Sequence, residues 1–207
     1  MTCTFFMHDQ PIFEQAADHM IPYASGRSRI KIWDAGCAKG QDTYTLAMIL
    51  AEQMTRLDFN NVRIDATDYD NANHFEEVVS EAVYHGDELI RTPADLFDKY
   101  FEPAAKPEHY QVSDVLRSRV RFRYHDLLSL TPAGDNYCLV VCKNVLLYFQ
   151  PGEQVEVFRS FHKALAPGGY LATENTQQLP EEMTDLFTQV EMHTKLYKKI
   201  ENRGSLR

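Results

Sequence analysis

The chain has no surplus of positive charge and no long apolar run. Against 30 acidic residues it sets 21 Lys and Arg, a formal net charge of −9. Nucleic-acid binding draws on clustered cations that release counterions, so DNA and RNA are poor partners for such a chain. No apolar stretch approaches the roughly 20 residues that span a bilayer, so stable membrane insertion is not expected. The opening Met1-Thr-Cys-Thr-Phe-Phe-Met-His8 lacks a basic region followed by an apolar core, so no secretory signal is expected. Cysteine is scarce: Cys3, Cys37, Cys138 and Cys142 form no Cys-x-x-Cys pair. Reduced thiols and a cytoplasmic location follow as the expectation, with no metal centre and no disulfide scaffold. Internal repeats and low-complexity tracts are missing too.

Two nucleotide signatures are also absent. A dinucleotide fingerprint reads GxGxxG with an acid ~20 residues on, and a phosphate loop ends in GK[ST]. Here the glycines fall as Gly36-Cys37-Ala38-Lys39-Gly40, followed by Gln41-Asp42. Asp42 puts negative charge where a phosphate would sit.

What is present is a strand, a glycine loop and a helix in succession, the first unit of a nucleotide-binding α/β sheet. Ile30, Ile32 and Trp33 read as a buried strand. Tyr44, Ala47, Met48, Leu50 and Met54 recur at helical spacing. Residues 62–68 alternate and end on Asp68, which lies 32 positions after Gly36. Ligands of open α/β sheets sit beyond the carboxyl ends of strands, where an acid can bind a ribose diol. Asp68 can equally cap the next helix, a task Asp70 can also take. A ligand with a ribose and a positive charge but no phosphate fits, and S-adenosylmethionine has that make-up.

The rest of the pattern is consistent with such a sheet. Residues 1–24 read as a helical lead-in on the sheet edge, through Phe5, Phe6, Phe13, Ala16 and Ala17, with a catalytic domain over 25–207. A helix is expected over 71–82. Gly86, Pro93, Pro103 and Pro107, with alternation at Tyr110–Val112, mark an inserted subdomain at about 84–118. Residues 120–124 form a strand leading to Asp126, which can bind an adenine amine between Leu127 and Leu128 or simply cap a loop. The apolar run 136–142 reads as a central strand covered on both faces. Its end presents Asn144 and Tyr148, although Tyr148 can instead be a core tyrosine. A helix over 154–165 is stopped by Pro167-Gly168-Gly169, and 170–173 makes a fifth strand. A helix near 181–187 and a closing edge strand or hairpin within 189–200 complete the expectation.

These residues carry a family resemblance. Trp33-Asp-Ala-Gly36-Cys-Ala-Lys-Gly40-Gln-Asp42-Thr-Tyr44, Ala66-Thr-Asp68-Tyr69-Asp70, Tyr100-Phe101, Cys142-Lys-Asn144-Val-Leu-Leu-Tyr148-Phe149 and Leu165-Ala-Pro167-Gly-Gly169 occur in an order that resembles the CheR-type chemoreceptor methyltransferases over nearly the whole chain. Thr4-Phe5-Phe6 with Phe13 is similar to the segment that joins the family's helical N-terminal domain to its catalytic domain. These residues thus correspond to the catalytic domain without the helical one.

The resemblance implies a class I methyltransferase fold: a Rossmann-like, mostly parallel seven-stranded sheet with a small inserted antiparallel β-subdomain. It implies S-adenosylmethionine as methyl donor, S-adenosylhomocysteine as product and a receptor glutamate as acceptor, with the β-subdomain on the receptor side. Donor-binding positions carried over are Gly36, Cys37, Ala38, Gly40, Asp42, Asp68, Tyr69, Asp126, Leu127, Lys143 and Asn144. Asp42 would hold the methionine end, Asp68 the ribose, Asp126 and Leu127 the adenine, and Lys143 and Asn144 the donor near its sulfonium. The catalytic candidates are Tyr148, His8 and Lys143. One departure concerns them: the arginine that follows the Phe-Phe pair in the family is Met7 here, which cannot clamp a carboxylate. His8 and Lys143 are the candidates to replace it. Two other readings stay open, the same donor with a small-molecule or different protein acceptor, and a non-catalytic donor-sensing domain.

Overall fold

The computed structural model describes residues 5–70 and 74–201. The chain runs α1 (Gln10–Ala24), β1 (Ile30–Ala35), α2 (Gln41–Gln53), α3 (Arg56–Asn60), β2 (Val62–Asp68), α4 (His74–Glu81) and β3 (Val83–His85). It continues as α5 (Ala94–Tyr100), β4 (Phe101–Pro103), β5 (His109–Val112), α6 (Asp114–Arg117), β6 (Val120–Tyr124) and β7 (Tyr137–Cys142). The last elements are α7 (Pro151–Ala164), β8 (Leu165–Thr173), β9 (Phe187–Gln189) and β10 (Leu196–Lys199).

Alternating strands and helices lay down a sheet of order β6-β2-β1-β7-β8-β10-β9. The first five of these run parallel, and β10 is antiparallel to both β8 and β9. The order reverses between β1 and β7, so the carboxyl ends of β1, β2 and β7 flank a crevice. Central β7 is buried throughout, as a strand covered on both faces must be. One face packs on α1 and α2 through Phe13, Met20, Leu46 and Leu50; the other packs on α7 through Trp33, Phe158 and Phe161. Each large side chain so buried contributes about 1.5–3 kcal/mol.

Residues 83–112 hold a second, antiparallel sheet of order β3-β5-β4. Phe6 is fully buried and ties the N-terminal turn to this sheet, with its ring 4.9 Å from Tyr84 and 5.4 Å from Phe101. Its N–H donates to the Glu88 carbonyl at 3.1 Å. That anchorage carries His8 and Asp9 to the crevice.

Several expectations are corrected. Helix α1 covers a sheet face, packing on β7, β8 and β10, instead of lying at an edge. Pro167-Gly168-Gly169 lies inside the continuous strand β8, not between helix and strand. A Cβ on Gly169 would stand 2.9 Å from the Tyr137 carbonyl oxygen, so the glycine lets β8 approach β7 across a register irregularity. Instead of a helix near 181–187 there is one 3-10 turn at Glu181–Met183, and Phe187 joins a strand paired with Lys199. Residues 71–73 of the expected fourth-helix segment, and Cys3 and Thr4, lie outside the described residues. No helix among the described residues is long and apolar enough to cross a membrane.

Candidate active site

The loop after β1 builds the floor of the crevice. Gly36 has φ +94°, and a Cβ there would meet Val145 Cγ2 at 2.2 Å. Only glycine allows that left-handed turn with the Val145 loop lying directly on it. The Gly36 and Cys37 N–H groups donate to the Thr67 carbonyl at 2.8 and 3.0 Å, locking the loop to the end of β2.

Two lobes meet at Gly36, Asp68 and Val145. The first, about 460 Å³, is lined by His8, Gly36, Cys37, Ala38, Asp42, Asp68, Phe75, Lys143, Asn144, Val145 and Tyr148. The second, about 390 Å³, is lined by Gly36, Asp68, Tyr69, His125, Asp126, Leu127, Leu128, Val145 and Phe149. A larger hollow of about 630 Å³ lies between the α2–α3 region and the small sheet and shares no lining residue with either lobe. Of the sequence candidates only Gly40 is missing from the two lobes. Its φ is +87°, and a Cβ there would lie 3.1 Å from both the Tyr84 hydroxyl and Val79. That glycine starts α2 and clears room for the tyrosine; it does not line the cavity.

Asp68, at the carboxyl end of β2, accepts the Ala38 N–H at 2.7 Å through Oδ2. Burial raises its pKa, opposed by the N–H groups of Ala38 and Tyr69. The cap of α4 falls instead to Asp70, whose Oδ2 accepts the Phe75 N–H at 2.6 Å. Asp42 is also raised by burial, more strongly than Lys143 lowers it. Asp34, 4% exposed beneath the loop and hydrogen-bonded by Thr43, is pushed up to about 7, first by burial and then by the nearby Asp42 and Asp68.

Lys143 is not a free cation. Its Nζ lies 3.0 Å from Asp42 and 3.1 Å from Asp9, and 4.5 Å over the Phe13 ring. Burial works to raise Asp9, but Lys143 and His8 outweigh it and its pKa falls. The lysine therefore neutralises two acids and fixes Asp42, which leaves it unsuited to grip a third carboxylate. Met7 is buried in the core, with its N–H donating to Thr45 Oγ1 at 3.1 Å. The next residue, His8, takes the cavity position, its Nδ1 3.0 Å from Asp9. Tyr148 is 69% exposed at the rim, so it is no core tyrosine. Asp126 caps the loop, accepting the Leu128 N–H at 2.8 Å through Oδ1. Its other oxygen takes no part in that bond.

The lining also includes Val145, Phe75 and Phe149, which sequence reasoning did not single out for binding, and His125, a candidate base only for an acceptor that is not anionic. His125 packs edge-on against Trp33 at 5.5 Å, and burial first, then Arg123, lowers its pKa. Phe75 shows only helical spacing within α4, and Val145 and Phe149 only their place in the motif around Asn144, so no local pattern marks them as lining.

The fit to an adenosyl sulfonium can be tested on two orphaned atoms. Asp42 Oδ1 and His125 Nε2 are buried without a hydrogen-bond partner, one in each lobe. Buried polar atoms are nearly always satisfied. An ammonium meets the need of the first and an adenine edge that of the second. Acids at Asp42 and Asp68 suit a cationic ligand and repel a phosphate. Cys37 is buried with its thiol pKa pushed up, so it is no nucleophile.

Comparison with known proteins agrees with this chemistry. The family model described as "CheR methyltransferase, SAM binding domain" matches residues 2–196. Chemotaxis protein methyltransferase 1 of Pseudomonas aeruginosa is 29% identical over 86% of this chain and 68% of its own length. A chemotaxis protein methyltransferase of Vibrio parahaemolyticus is 28% identical over 95% of this chain and 72% of its own. A 104.1 kDa protein of Rhodobacter capsulatus is 29% identical over 88% of this chain, which spans 19% of that protein. Among solved structures, an O-methyltransferase family protein from Burkholderia thailandensis superposes with a TM-score of 0.48 at 16% identity, covering 86% of this chain and 42% of that one. With its family model spanning both lobes, the chain belongs to the CheR methyltransferases as their S-adenosylmethionine-binding domain.

Proposed function

We propose that the chain transfers a methyl group to a glutamate carboxylate on a chemoreceptor-type protein, forming a methyl ester. Bound S-adenosylmethionine supplies a methyl group activated on a sulfonium. The observation that carries the reading is the position of Asp68, at the junction of an acid-lined lobe and a more apolar one. An acid there can take the ribose hydroxyls, with the charged amino-acid arm towards Asp42 and the base between Tyr69, Leu127 and Val145.

A glutamate side chain, with a reference pKa ~4.3, is already anionic at neutral pH. No general base is needed. The chain must strip water from that carboxylate and hold it in line, which are effects of proximity and desolvation. Three donors border the first lobe for this purpose: the Tyr148 hydroxyl, the Asn144 amide and the His8 imidazole. Asn144 holds φ +57°, a strained setting for a non-glycine residue and one that recurs at functional sites. With Met7 packed inward, His8 stands where a cation is wanted. The chemotaxis names of the relatives support the receptor acceptor.

Incubating the chain with methyl-labelled donor and receptor cytoplasmic fragments tests the reading. Label released as methanol by mild alkali is expected, since only an ester is so labile. Alkali-stable label would assign another acceptor class. Tight S-adenosylhomocysteine binding with no transfer would make the domain a sensor of the donor.

A further inference from the structure

The amino ends of the same strands form a second site of opposite charge. A pocket of about 510 Å³ is lined by Ser28, Arg29, Asn61, Arg63, Asp65, Ser118, Arg119 and Arg121, with Ile64 and Val120 between them. Arg63 is the second residue of β2, whose other end carries Asp68, so the pocket and the donor crevice lie at opposite ends of the sheet. Four guanidinium groups thus border one cavity in a chain of net charge −9.

Those charges are not neutralised within the fold. Among the described residues none of the four guanidinium groups is ion-paired to a carboxylate. Asp65 is engaged elsewhere, by Arg123 at 3.2 Å and the Tyr137 hydroxyl at 2.6 Å. Arg63 and Arg119 converge: both donate to the Asn60 carbonyl oxygen, at 3.0 and 2.8 Å. Burial, then the charge of Arg63, pulls the Arg119 pKa below its usual range. Arg119 Nε is buried with no partner at all. Holding like charges together costs free energy that a bound anion would recover.

We propose that this pocket binds a compact phosphate chain, either free or as the tail of a nucleotide. Guanidinium groups match phosphate oxygens in paired hydrogen bonds, and four of them suit two or three phosphates rather than one. The lining holds no aromatic ring on which bases could stack, and it is a pocket rather than a track, so a nucleic-acid strand fits poorly. An alternative role is protection of the edge strand β6, since charge on an edge deters pairing. Arg119 and Arg121 alone would do that. It does not explain why Arg29, just before β1, and Arg63, on β2, border the same cavity.

Titration calorimetry of the whole chain with inorganic tripolyphosphate in low salt tests the proposal. Saturable one-to-one binding that weakens with added salt is expected. Arg29→Gln and Arg121→Gln, both exposed and remote from the donor crevice, should each weaken it about tenfold or more, as charge-assisted hydrogen bonds are lost. S-adenosylhomocysteine binding by both variants should stay unchanged, which also shows that they fold. Equal affinity for ATP and tripolyphosphate would mark the free chain as ligand, and tighter ATP binding a nucleotide; both uphold the site. No saturable binding at millimolar tripolyphosphate would overturn it. So would wild-type affinity in both variants, or tighter binding of a single-stranded oligonucleotide.

Discussion

Asp34 is an acid enclosed beneath the glycine loop, and replacing it with its neutral isostere should reverse sign with pH. Its carboxyl is pushed from 3.8 to about 7 in the folded chain. A folded-state pKa raised above the unfolded value gives stability that is fully present below the unfolded pKa. It is lost as pH rises through the folded one. Between about pH 4 and 7 the native state keeps a proton that the unfolded chain releases, and stability falls by about 1.4 kcal/mol per pH unit. Over the whole window the loss is about 4 kcal/mol. In Asp34→Asn that loss disappears. The amide oxygen can still accept from Thr43 Oγ1, but the NH₂ brings two donor hydrogens where the protonated carboxyl has one, and leaving the extra one unpaired costs about 1–3 kcal/mol. The variant should therefore be less stable than the parent at pH 4 and more stable by about 1–3 kcal/mol at pH 8. Urea unfolding followed by circular dichroism at both pH values measures this directly. Curves for parent and variant that stay parallel across the range would refute the claim that burial holds a proton on Asp34.

Three further substitutions probe the crevice. Asp68→Asn keeps an acceptor for the Ala38 N–H but loses the charge, so donor affinity by calorimetry should fall about 10- to 100-fold with the thermal midpoint little changed. Gly36→Ala forces a Cβ to within 2.2 Å of Val145 Cγ2 at positive φ; a loss of about 2–4 kcal/mol in urea unfolding is expected, part of it recovered by adding Val145→Ala. Lys143→Met strands Asp42 and Asp9 in a cavity wall. Because Asp9 is partly exposed, the loss should reach about 2–3 kcal/mol rather than the full value for a buried pair, and adding Asp42→Asn should restore most of it, as a double-mutant cycle would show.

The strand–loop–helix unit was legible because its signals are local. Apolar alternation, two glycines and a helical period all lie within 25 residues of Ile30. What each glycine is for was not legible. Gly36 makes room for Val145 and Gly40 for Tyr84, contacts that span 109 and 44 positions of sequence, and a backbone freed for a ligand looks the same on paper as one freed for a tyrosine. The late segment failed for a related reason. Phe187 has helical neighbours in sequence, but its pairing with Lys199 turns it into a strand, as tertiary partners often override propensity. Met7 and His8 show the limit for the site: Met7 at φ +59° turns its side chain into the core and gives the cavity to its neighbour, with no pattern to announce it.

Charge teaches a sharper lesson, because composition averaged away the feature that matters. A net −9 argues against an anionic partner for the molecule as a whole. Yet the acids that line the donor crevice stand at the carboxyl ends of the strands, and the unpaired arginines gather at the amino ends. Screening limits the influence of exposed charge to roughly 8 Å in physiological salt. Each end of a strand such as β2, seven residues long and so some ~20 Å from end to end, therefore answers mainly to its own neighbours. One end can select a sulfonium while the other holds guanidinium groups fit for phosphate. Selection for either acts on positions such as Asp68 and Arg63, five residues apart on one strand, and not on the sum of their charges.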